Sequence, residues 1–144
     1  MVEQDTIRLL RECDAGIKMG ISAIDEVMEY AHSDEMRAYL QDSSKENQKL
    51  QDDLQEVLAD YHDNGKEPSA IASGMSWVKT NFKLKMENSD STIAELMTDG
   101  CNMGIKSLSR YLNQYQAADR RSKDLTKRLI KAEEKFSQNM RAFL

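Results

Sequence analysis

The sequence predicts an all-α domain, a four-helix bundle built from two helical hairpins, on three observations. Apolar residues recur at helical spacing along most of the chain, and the strict alternation of half-buried strands is missing. Helix breakers are scarce, with one proline, Pro68, and six glycines in 144 residues. A short pattern also occurs twice, as Cys13-Asp-Ala-Gly-Ile-Lys18 and Cys101-Asn-Met-Gly-Ile-Lys106, which agree at Cys, Gly, Ile and Lys.

The first helix is expected to open near Asp5 or Thr6, whose side chains can cap free amide donors, and to carry Ile7, Leu10, Ile17, Ile21, Ile24 and Met28 on one face. It ends around His32. Ser33 then caps a second helix with a stripe of Met36, Leu40, Leu50, Leu54, Val57, Leu58 and Tyr61. So short a join makes the two helices antiparallel neighbours. His62 to Glu67, with its Asn-Gly pair, stops the second helix, and Pro68 suits the first turn of a crossover helix over 68–87 bearing Ile71, Met75, Val78, Phe82 and Met86.

Thr92, with Glu95 three residues on, fits a capping box that opens the next helix, whose apolar face is Ile93, Leu96, Met103, Leu108, Tyr111 and Tyr115. The last helix starts near Asp119 and carries Leu125, Leu129, Ala132, Phe136, Met140 and Phe143. The whole, 1–144, reads as one domain: a hairpin over 5–62, a crossover helix over 68–87 and a second hairpin over 91–144. Leu50, Leu54 and Leu58 correspond to Phe136, Met140 and Leu144, so the second hairpin reads as a copy of the first. An approximate two-fold pairing would bury both apolar faces.

Composition narrows the function classes. The formal net charge of −5 conceals a polarity: residues 1–67 carry −10 and residues 68–144 carry +5. Such halves suit a folded-back molecule or a head-to-tail homo-oligomer, and the overall acidity argues against nucleic acid as partner. The amino-terminal residues lack a signal-peptide pattern, and no stretch reaches the roughly 20 apolar residues of a membrane span. A cytoplasmic protein is expected, with Cys13 and Cys101 as free core thiols. Serine-nucleophile motifs, phosphate-binding glycine loops and zinc-finger spacings are missing, which removes most ordinary enzyme classes and calls for no cofactor.

From Gly74 through Trp77 and Phe82 into Thr92-Ile93-Ala-Glu95, and in its duplicated hairpins, the chain resembles the ferritin-like superfamily, in particular bacterial ferritin-like domains of unknown function with a short helix before the second hairpin. That resemblance implies a crossover bundle and, in di-iron members, one Glu on each of two helices and Glu-x-x-His on each of the other two. The equivalent tetrads here are Glu46-Asn-Gln-Lys49 and Glu133-Glu-Lys-Phe136, in which Lys49 and Phe136 replace the histidines. The mid-helix acids of the other two helices are Asp14 and Asp99. A standard di-iron oxidase is therefore excluded as the reading, and no metal ligand is assigned. The leading expectation is a non-catalytic protein that works by self-association or partner binding. The alternative is a metal-binding or redox protein with a reduced carboxylate site around Asp14, Glu46, Asp99 and Glu133.

The remaining features favour structural roles. Glu29-Tyr-Ala-His32 satisfies Glu-x-x-His, yet His32 reads as a helix-terminal residue suited to the dipole, as does His62. Cys13 and Cys101 read as core residues that could lie close together at the pseudo-axis. Lys18 and Lys106 are expected to snorkel to solvent, the alternative being an internal ion pair with Asp14 or Asp99. The basic last helix, from Arg120 to Arg141, reads as a solvated face pairing with the acidic first hairpin. Gly16/Gly20 and Gly100/Gly104 give Gly-x-x-x-Gly in each half, which predicts a close helix crossing; a cavity at that level is the functional alternative.

Overall fold

The computed structural model describes residues 2–68, 78 and 89–144. These residues form four α-helices, α1 (Val2–Met28), α2 (Asp34–Asp60), α3 (Asp90–Gln114) and α4 (Arg120–Arg141), and no strand among them. The all-helical bundle stands. The expected crossover helix over 68–87 lies outside the described residues except for Pro68 and Val78, both of which are buried. No helix among the described residues is long and apolar enough to cross a membrane.

Caps set the helix boundaries, and two differ from expectation. Ser33 accepts a hydrogen bond from the Met36 amide at 3.0 Å, and Asp119 accepts one from Ser122 at 2.8 Å, so α2 and α4 begin where their sequences suggest. The cap of α3 is Ser89, bonded by the Thr92 amide, so Thr92 sits inside the helix. At the amino terminus α1 is already formed at Val2, and Asp5 and Thr6 serve another segment: they accept hydrogen bonds from the amides of Ala117 and Asp119 in the α3–α4 turn. Their capping chemistry is intact, but the donors are distant in sequence.

The carboxyl end of α2 is closed by a Schellman arrangement. The amide of His62 donates to Ala59 and that of Asp63 to Leu58, both at 3.0 Å, with His62 in the left-handed region at φ 55°. The helix α1, by contrast, stops at Met28, four residues earlier than expected.

Hydrogen bonds at the two ends fix the helix directions. The carboxylate of Asp90, at the start of α3, accepts from the backbone amides of His32 and Ser33 in the α1–α2 turn. At the opposite end, Tyr61 donates to Asp119 at 2.5 Å, and Thr6 meets the same turn. Thus α3 runs antiparallel to α1, α4 runs antiparallel to α2, and α2 ends at the opposite end of the bundle from where α3 begins.

Among the described residues the core falls into two apolar clusters, one towards each end. Ile24, Val27, Met36, Leu40, Ile93, Leu96 and Met140 form one; Leu9, Leu10, Ile17, Leu54, Val57, Leu58 and Leu129 are among the members of the other. Each fully buried Leu or Ile contributes about 1.5–3 kcal/mol of hydrophobic stabilisation. Leu9, fully buried, lies off the expected stripe because α1 packs against all three other helices and so buries a wider arc. Met103 differs the other way: expected on the apolar face, it is 57% exposed.

Along the α2–α4 seam the charges form an antiparallel ladder. Arg121 pairs with Asp60 at 3.0 Å, Arg128 with Asp53 at 2.9 Å and Lys135 with Glu46 at 3.9 Å, each step advancing seven residues on both helices. All six side chains are well exposed, so each pair is worth at most about 1 kcal/mol. Their effect is on direction and register. The acidic half and the basic last helix thus meet within one chain.

Candidate functional site

Halfway along the bundle, between the two apolar clusters, lies a cavity of about 390 Å³. It is bordered by all four helical glycines among the described residues, Gly16 and Gly20 of α1 and Gly100 and Gly104 of α3. At Gly16 and Gly20 a close helix crossing does not account for the glycine. A Cβ added at Gly16 would meet nothing within 4 Å, and one at Gly20 would reach only ordinary contact, 3.5 Å from the Asn47 amide nitrogen. A Cβ at Gly104 would collide with the carboxylate of Glu133, a side chain rather than a facing backbone. The expected tight crossing is therefore corrected at Gly16 and Gly20, where the missing side chain leaves room, while at Gly104 the carboxylate of Glu133 takes the space. A volume of this size falls within the range of small-molecule sites.

The cavity wall is mainly apolar. Met19, Ala23 and Ile24 come from α1, Met97, Met103 and Leu108 from α3, and Ala132 and Phe136 from α4, while α2 contributes Ser43 and Asn47. At the rim, Glu12 and Lys66 form an ion pair at 2.7 Å.

Glu133 is the exception within this wall. It projects from α4 towards Gly104, and its Oε2 is buried without a hydrogen-bond partner. Burial pushes its carboxyl up to about 8, because a carboxylate that leaves water without a donor is costly. At neutral pH it is mostly a neutral acid.

The other acids of the expected carboxylate set lie elsewhere. Asp14 is fully buried and fully engaged: Gln55 donates to Oδ1 at 3.0 Å, the Lys66 amide donates to Oδ2 at 3.0 Å, and the Lys18 ammonium sits 2.8 Å from Oδ2. Lys18 also pairs with Glu67 at 3.0 Å, so it is an inward-held cation and not the solvent-directed one expected. Gly65, at φ 84°, brings the loop so close to Asp14 that any Cβ there would strike the carboxylate. Asp14 thus fastens the loop after α2 onto α1. Glu46 belongs to the outer ladder, and Asp99 is exposed. Among the described residues no group of three His, Cys, Asp or Glu side chains could hold a metal ion.

The thiols and imidazoles are placed by packing. Cys13 and Cys101 are free, and each belongs to a different apolar cluster. Burial pushes both thiols up to about 12, and Cys13 is held 3.2 Å from the Thr126 hydroxyl, so neither is a nucleophile at neutral pH. Because α1 ends at Met28, Glu29 and His32 lie in the turn beyond it, and the helical reading of Glu-x-x-His fails. Lys106, by contrast, is exposed, as expected.

The sequence points to the cavity only through its glycines, which cost about 1 kcal/mol each in a helix interior and so require a reason. That Glu133 would stand alone was not readable, because pairing depends on what the other three helices bring to its level. Comparisons with protein-family models, curated proteins and solved structures find no match to this chain.

Proposed function

We propose that this protein is a non-catalytic binding protein that holds a small, largely apolar molecule between its helices. The observation that carries this reading is the mid-bundle cavity lined by Gly16, Gly20, Gly100 and Gly104, of which Gly16 faces open space at a cost in helix propensity. The thiols are neutral, and among the described residues of the wall none forms a nucleophile–base pair, so binding accounts for the site better than catalysis. The helix directions, with α2 ending and α3 beginning at opposite ends, support a ferritin-like topology for the scaffold. Part of the charge polarity that motivated self-association is met within the chain by the α2–α4 ladder, which favours the cavity as the working surface.

The test is direct titration with neutral apolar probes, indole and 1-hexanol, followed by chemical-shift changes in the protein. Residues of the cavity wall are expected to shift together and saturate. Gly16→Leu places a side chain in open space, so it should keep the thermal stability of the wild type and lose probe binding. Absence of saturable shifts with either probe, or binding undiminished in a folded Gly16→Leu protein, would overturn the reading.

A further inference from the structure

Resting on that reading, we infer that the ligand is an apolar amine, seated with its ammonium group on Glu133 and its hydrocarbon body among the methionines of the cavity. The first ground is the orphaned acceptor. Glu133 Oε2 is buried, accepts no hydrogen bond and faces the space left by Gly104, where a Cβ would displace it. A buried acceptor normally finds a donor, and here the protein supplies none.

The second ground is charge. Among the described residues, Lys66 is the only cation in the cavity wall, and it is committed at the rim to Glu12. The other buried acid, Asp14, has its own lysine, so the fold completes one carboxylate and leaves the second for something outside the chain. The third ground is the make-up of the apolar part: Met19, Met97 and Met103 are flexible, polarizable side chains that adapt to an alkyl or aryl body, and Phe136 adds an aromatic side chain to the wall.

The protonation balance follows. Empty, the site holds a neutral carboxylic acid at pH 7, since burial pushes Glu133 up to about 8. An arriving ammonium ion favours the carboxylate, so Glu133 gives its proton to solvent as the ion pair forms. The groups around it do not compete for that proton. From α1 come Glu12, already paired, and Cys13, bonded to Thr126; from α3 come Cys101 and Tyr111, both pushed up by burial; α2 offers only Ser43 and Asn47, which do not titrate.

Calorimetry with n-hexylamine, 1-hexanol and hexanoate separates the possibilities. For hexylamine the affinity should rise by up to about tenfold per pH unit between pH 6 and 8, with close to one proton released per ligand at pH 7, seen as a dependence of the heat on buffer ionisation enthalpy. Hexanol should bind more weakly and without proton release, and Glu133→Gln should erase the preference for the amine while keeping hexanol binding. If hexanol binds as tightly as hexylamine, or hexanoate binds best with affinity falling as pH rises, the amine assignment is overturned and the cavity reading survives. If none of the three binds, both fall together.

Discussion

Two carboxylates are drawn into this bundle, each lodged against a glycine, and their surroundings are opposite. Asp14 lies against Gly65 with a donor from α2, a donor from the loop and a lysine one turn along its own helix. Glu133 lies against Gly104 with a buried oxygen that nothing bonds. The two glycines also differ in role: Gly65 permits a left-handed backbone, whereas Gly104 sits in an ordinary helix and supplies only space. The segments carrying Asp14 and Gly104 are the two that share Cys-x-x-Gly-Ile-Lys, yet one builds a finished anchor and the other a cavity wall. Similar helices thus diverge through what the rest of the chain brings to them.

The largest effect expected from breaking this contrast is at the anchor. Asp14→Ala removes one partner of a buried ion pair and strands the Gln55 and Lys66 donors, so it should cost about 3 kcal/mol in urea unfolding. A loss under about 1 kcal/mol would make the two carboxylates equivalent after all.

Glu133→Gln should act with the opposite sign. Its folded carboxyl sits at about 8 against 4.5 for the free side chain, so the folded state holds the proton more tightly. The stability this contributes is full below about pH 4.5, declines as pH rises and is lost on passing through about pH 8. The variant should therefore match wild type near pH 4.5 and exceed it by a growing margin as pH rises towards 8. Parallel stability curves from pH 4.5 to 8 would show that Glu133 titrates as an exposed acid.

Gly16→Ala sharpens the role of the glycines. With open space at that position, the gain in helix propensity should raise stability by about 0.5–1 kcal/mol in thermal unfolding. A drop in melting temperature would restore the tight helix crossing. The smallest effect belongs to Lys106→Ala, expected within about 0.5 kcal/mol of wild type, since the side chain is exposed. Lys18→Ala, at the matching place in the other segment, should cost more because it leaves Asp14 uncompensated.

Much of the scaffold is legible in the residues themselves. Ser33 and Asp119 mark helix starts, the apolar spacing picks out Leu40, Leu54, Ile93 and Met140, and the acids at 46, 53 and 60 meet bases at 121, 128 and 135. What sequence misplaces depends on contacts between distant segments. Asp5 and Thr6 look like caps of their own helix, but the amides that they satisfy belong to residues 117 and 119. Lys18 looks solvent-bound until the loop carrying Glu67 folds over it. Glycine spacing reads equally well as contact or as void, and only the position of the facing helices separates them.

The two ends of the bundle are riveted, with Asp90 clasping the α1–α2 turn and Asp119 joining Thr6 to Tyr61, while the cavity lies at mid-span. A beam held at both ends deforms most at its centre. Any widening of the cavity is then expected to bow the helices and not to part the two hairpins at a hinge, with the mid-length glycines as the points of bending. Amide hydrogen exchange should then be fastest around Gly16–Gly20 and Gly100–Gly104, in the interior of α1 and α3, and slower towards the riveted turns.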